Sequence, residues 1–184
     1  MVLTSQQASE TLDEVAAAQR KAYVLQGYAK GAPHFFLWGL IWAVGYAGTA
    51  LFPALSGKLW LVLDVMGAGG SFLIARAAYD PAVRAKRSVN FLVLMLGFVA
   101  FMGATYYILR PQTSMQYGAF PPLLMAFIYT CVGAFAGARW LVIGIGMWVL
   151  TLGGYVLVPE HFLLWMAVVG GGALLLTGAW MRRV

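Results

Sequence analysis

Charge is what this chain most lacks. Asp, Glu, Lys and Arg make up 10% of its 184 residues, against about 25% in a soluble domain, while 62% are hydrophobic. That excludes an ordinary water-soluble core with a charged rind. Cysteine is nearly missing as well. Cys131 is the only one, so no disulfide forms within the chain, and its setting in FIYTCVGAF marks a small apolar packing residue.

Acids are scarcer than bases, six against twelve, and four of the six fall in the first 14 residues or in the loop at Asp80. Asp64 and Glu160 are the other two, too few for paired-carboxylate catalysis. His34 and His161 sit at opposite ends of apolar runs, so they cannot share a metal or haem within one subunit. HExxH, CxxC, a glycine-rich phosphate loop and a serine nucleophile elbow are all missing. The sequence therefore points away from an enzyme and calls for no cofactor and no metal. The net charge of +6 is not a nucleic-acid footprint, because the bases cluster at the ends of apolar runs instead of forming a solvated stripe.

What is present in quantity is apolar length. Six runs, near 34–53, 58–77, 89–109, 119–138, 139–158 and 160–181, each approach the ~20 helical residues that cross a hydrocarbon core. The breaks are FPALSGK, ARAAYDPAVRAKRS, RPQTSMQYGAFPP, GAR and VPEH. The expected fold is an all-α integral membrane protein with six transmembrane helices arranged as three hairpins and preceded by an amphipathic helix. Residues 1–32 form that N-terminal cytoplasmic helix, and residues 33–184 the six-helix transmembrane domain.

Basic residues set the orientation. With the N-terminus inside, ten of the twelve bases face the cytoplasm and only Lys58 and Arg110 face outward. Both termini are thus expected in the cytoplasm, and the membrane is expected to be a bacterial inner membrane. Arg84, Lys86 and Arg87 lie where anionic lipid headgroups would meet them. The N-terminal segment carries acids early, bases late and a stripe of Leu12, Val15, Ala16, Ala22, Tyr23 and Leu25, with Thr4 or Ser5 as N-cap. It lacks the continuous apolar region of a signal peptide.

Self-similarity suggests a threefold internal repeat. Outgoing spans end in tyrosine and then proline: Tyr46 and Pro53, Tyr106, Tyr107 and Pro111, Tyr155 and Pro159. Returning spans carry Gly70-Ser71-Phe72, Gly133-Ala134-Phe135 and Gly172-Ala173-Leu174. Gly70, Gly133, Gly137 and Gly172 are expected to pack helices closely.

Asp64 breaks this pattern, since the aligned positions are Phe127 and Met166. A carboxylate about 9 Å along a helix from Lys58 invites a partner, and Arg110 is the nearest base by level. A ligand or ion pathway would then comprise Asp64 and Arg110 with Trp42, Tyr106 and Tyr129 as lining. Two functions follow. One is a transporter, channel or sensor for a small solute or ion. The alternative is a non-catalytic accessory or scaffold protein that holds a cytoplasmic protein through the N-terminal helix or the basic inner loop. Beyond the lipid bilayer, a second copy of the chain is an expected partner in either case.

Overall fold

The computed structural model describes residues 5–78 and 81–183, with side chains described for 11–78 and 88–183. Thr4 and the side chains of Arg84, Lys86 and Arg87 lie outside the described residues. The described chain is helical throughout, without strands. Its helices are α1 (Ser5–Leu51), α2 (Ser56–Ala77), α3 (Pro81–Leu109), α4 (Ser114–Ala136), α5 (Ala138–Leu157), α6 (Phe162–Trp165) and α7 (Gly171–Arg182). A π-helical segment, Met166–Gly170, joins α6 to α7 in one continuous run. Among the described residues, six helical runs are long and apolar enough to cross a membrane.

α1 is the organising element. It packs along α2 on one side and along the π segment and α7 on the other, and it touches α4. α4 and α5 form the tightest pair of all. Glycines explain the closeness. A Cβ at Gly133 would run into the backbone of Leu141, and one at Gly171 would meet Ala43 and the Gly39 carbonyl at 3.0 Å. Gly70 receives the Leu37 side chain, and Gly137, at φ 116°, makes the turn between α4 and α5 against the Tyr28 hydroxyl. That backbone conformation is open to glycine and essentially closed to other residues. Gly172 is a correction to the expected set: a Cβ there meets nothing within 4 Å. Adjacent helical positions differ by about 100° in direction, so Gly171 faces α1 and Gly172 does not.

Three further differences from the sequence reading have local causes. The N-terminal helix and the first span are one helix of 47 residues with Pro33 inside it. The missing N–H of Pro33 frees the carbonyl of Ala29, which is exposed, so the helix continues through it. α4 begins at Ser114, earlier than the apolar run at 119, because Thr113 and Gln116 form a reciprocal capping box. Cys131 is exposed on the bundle surface and is not packed within it.

The first and last turns follow the same path. Phe52 (φ −133°, ψ 67°) and Val158 (φ −135°, ψ 52°) each precede a proline that opens a short 3-10 turn into the next helix. Five residues before each proline a glycine admits a side chain six residues after it, Gly48 against Leu59 and Gly154 against Trp165. The middle turn has another form, with Arg110 at φ 44° and the capping box following. Pro53, Pro111 and Pro159 thus mark one end of the bundle, the proline end, and Gly137 marks the opposite end.

The surface matches hydrocarbon better than water. α3 leaves Val89, Leu92, Val93, Leu94, Leu96 and Val99 more than half exposed. A water-soluble monomer does not carry so long an apolar face.

Candidate functional site

The five residues expected to line one pathway do not all converge. Trp42 is buried in the core, edge-on to Tyr46 at 5.8 Å. Tyr129 belongs to an aromatic cluster toward the Gly137 end, 5.5 Å from both Phe35 and Trp140. Arg110 stands at the middle turn with its guanidinium 5.9 Å from the Tyr107 ring. Asp64 is exposed on α2 and makes no ion pair or hydrogen bond among the described residues. The structure does bring the Asp64 carboxylate within electrostatic reach of the Tyr106 and Tyr46 hydroxyls. The anticipated pairing of Asp64 with Arg110 is not formed.

Near Asp64, tyrosine and proline act together. Pro121 and Pro122 lie inside α4, where their missing N–H groups release the carbonyls of Tyr117 and Gly118 from the helical ladder. Both carbonyls are taken up by tyrosines from other helices. Tyr46 of α1 donates to the Gly118 oxygen at 2.6 Å, and Tyr106 of α3 donates to the Tyr117 oxygen at 2.8 Å. In hydrocarbon an unsatisfied backbone carbonyl costs several kcal/mol, so the prolines create acceptors that tie three helices together. The sequence displayed both residue types. Nothing in it showed that the tyrosines of α1 and α3 serve the prolines of α4.

At the Gly137 end two arginines are partnered. Arg139 donates from Nη1 to the Trp180 carbonyl at 3.0 Å and lies 5.2 Å and 4.9 Å from the Tyr28 and Trp180 rings. Arg182 covers the Phe36 ring at 4.8 Å. Cations at the last turn of α7 suit the helix dipole and the aromatic faces alike. Arg139 thereby joins α1, α5 and α7.

Polar groups within the bundle are few. Trp60 donates to the Thr49 hydroxyl at 2.8 Å and Thr49 donates to the Gly45 carbonyl at 2.7 Å, while Trp38 donates to Ser71 at 3.0 Å. The two tryptophan bonds join α1 to α2, and no chain of polar side chains runs from end to end among the described residues. Between α5 and α7 a cleft of about 210 Å³ opens, walled by Trp42, Gly146, Met147, Thr151, Met166 and Trp180 among others. No group of three or more His, Cys, Asp or Glu side chains that could hold a metal occurs among the described residues.

The fold thus defines a class, an all-helical chain with the six apolar helices a polytopic membrane protein requires. Comparison with family models, with characterised proteins and with solved structures returns no match.

Proposed function

We propose that this is an integral membrane protein of the accessory type, non-catalytic, with both termini in the cytoplasm, that holds a soluble protein partner through the N-terminal part of α1. The observation that carries this reading is the continuity of α1. Residues 11–23, about 20 Å of helix, are exposed on every side and run without a break into the helix on which the bundle is organised. Leu12, Val15 and Tyr23 fall on one face at helical spacing and are 69%, 48% and 76% exposed. An apolar stripe on a projecting helix is the form an amphipathic helix presents to a groove in a partner. Rigid attachment would carry a displacement of the stripe into the bundle.

The test is site-specific photocrosslinking in native membranes from Leu12, Val15 and Tyr23, with Val168 on the lipid-facing surface as control. One soluble protein captured from the three stripe positions and not from Val168, and lost from co-purification when residues 1–22 are deleted, is the expected result. Crosslinks to lipid or to the chain itself, or a partner that survives the deletion, refute the dock.

A solute-binding reading has one specific observation in its favour, the cleft between α5 and α7. The unpaired state of Asp64 and Arg110 among the described residues, and the position of Tyr129 in a separate aromatic cluster, weigh against a transport path through the five expected residues.

A further inference from the structure

Three threonines on apolar helices offer a comparison. Thr49 bonds back to the Gly45 carbonyl at 2.7 Å and Thr130 to the Ala126 carbonyl at 2.8 Å, the i−4 bond by which a helical hydroxyl satisfies itself away from water. Thr151 makes no such bond, and neither do Thr105 and Thr177, which are only partly buried. Thr151 is 1% exposed, its hydroxyl has no hydrogen-bond partner among the described residues, and it lines the cleft between α5 and α7.

Among the tryptophans, Trp140, Trp148 and Trp180 lack an N–H partner among the described residues but are partly buried or exposed. Trp38, Trp60 and Trp165 donate their indole N–H to Ser71, Thr49 and the Leu150 carbonyl at 3.0, 2.8 and 2.9 Å. Trp42 is also buried and lines the same cleft, yet its N–H has no partner among the described residues. An indole N–H can only donate, and a hydroxyl donates readily. Two buried donors in one apolar cleft call for an acceptor.

The shape of the cleft constrains what carries that acceptor. Its α5 wall runs from Val142 to Thr151, nine helical steps or about 14 Å, which with about 210 Å³ makes a narrow slot. Thr151 marks the proline end and Trp180 the other. Apart from the threonines and indoles the walls are aliphatic, Met and Gly. A buried water needs two to four polar partners and finds few here. Gly146 leaves the slot open, since a Cβ there meets nothing within 4 Å. The π segment Met166–Gly170 forms part of the opposite wall, an irregularity frequent at binding sites.

We infer that this cleft binds a lipid-soluble carbonyl compound, its oxygen accepting from Thr151 and the Trp42 N–H and its apolar tail extending along the slot toward Trp180. An apolar slot with a small number of placed donors is the usual form of a lipophilic site. The inference stands independently of the partner dock on α1.

The probe is 2-undecanone with a diazirine near its tail end, applied to the protein in lipid nanodiscs, with labelled positions read by peptide mass spectrometry. Saturable labelling of α5 and α7 is expected, with unlabelled 2-undecanone competing about tenfold better than undecane, the effect of one to two hydrogen bonds. Thr151→Val, near-isosteric but without the donor, and Trp42→Phe should each erase most of that preference. Gly146→Leu should abolish labelling, while Gly97→Leu on α3, also facing open space, should not. Undecane competing as well as the ketone shows a slot filled by lipid tails only and overturns the inference. Ketone preference retained in both Thr151→Val and Trp42→Phe, or labelling spread equally over α3, overturns it as well.

Discussion

Replacing Tyr46 by Phe tests whether proline and tyrosine work as a pair across helices. Tyr46 is 2% exposed, and its hydroxyl is the donor found on the Gly118 carbonyl, which Pro122 has released from α4. The substitution keeps the ring, its edge contacts with Trp42 at 5.8 Å and Trp60 at 5.2 Å, and nearly all of the packing. What remains is the loss of one hydrogen bond and an orphaned buried carbonyl. Interhelical bonds in membranes average about 0.6 kcal/mol and reach about 1.7. The 2.6 Å length and the burial of the Tyr46 ring place this one near the upper end, about 1.5 kcal/mol. Pro122→Ala restores a backbone N–H that can reach the same carbonyl along the helix. In that background Tyr46→Phe should cost only about 0.5 kcal/mol, leaving a coupling of about 1 kcal/mol. The assay is reversible unfolding in mixed micelles by SDS titration, on wild type, both single variants and the double variant, since only the cycle isolates the pair. Equal costs of Tyr46→Phe in both backgrounds would refute the reasoning.

Two other changes test the placement of single residues. Gly137→Ala should destabilise the protein by about 1–3 kcal/mol from backbone strain alone, with the clash against Tyr28 added, whereas Gly172→Ala, in open space on a helix, should be neutral or slightly stabilising; the same titration reads both, and equal behaviour of the two glycines contradicts the structure. Asp64→Asn should change stability by less than about 1 kcal/mol, because no described partner loses an ion pair, whereas breaking a buried pair costs about 3–5 kcal/mol; a loss of that larger size would restore the pairing with Arg110.

Apolar length and proline placement were enough to locate the six apolar helices to within about five residues, except at the start of the first, which is continuous with the N-terminal helix. Helix formation in a low-dielectric medium depends on local chain alone, since each backbone group bonds within its own segment. Gly133 was legible for a related reason, as a small residue on an apolar helix has few other uses; Gly137, read the same way, instead ends α4 and makes the turn. Gly171 was confused with Gly172 because uniformly apolar segments carry no period from which to read a facing direction.

The sequence by itself determined the all-helical class, the number of apolar spans and the scarcity of catalytic groups, because composition and run length are properties of the chain before it folds. Only the tertiary structure decided which partners meet: the tyrosines of α1 and α3 on carbonyls that α4 releases, Arg139 on the end of α7, and Thr151 left without a bond where Thr49 and Thr130 have one. Those facts depend on helix rotation and neighbour choice. Interlocking of specific side chains sets both, and no linear pattern of apolar residues encodes it visibly.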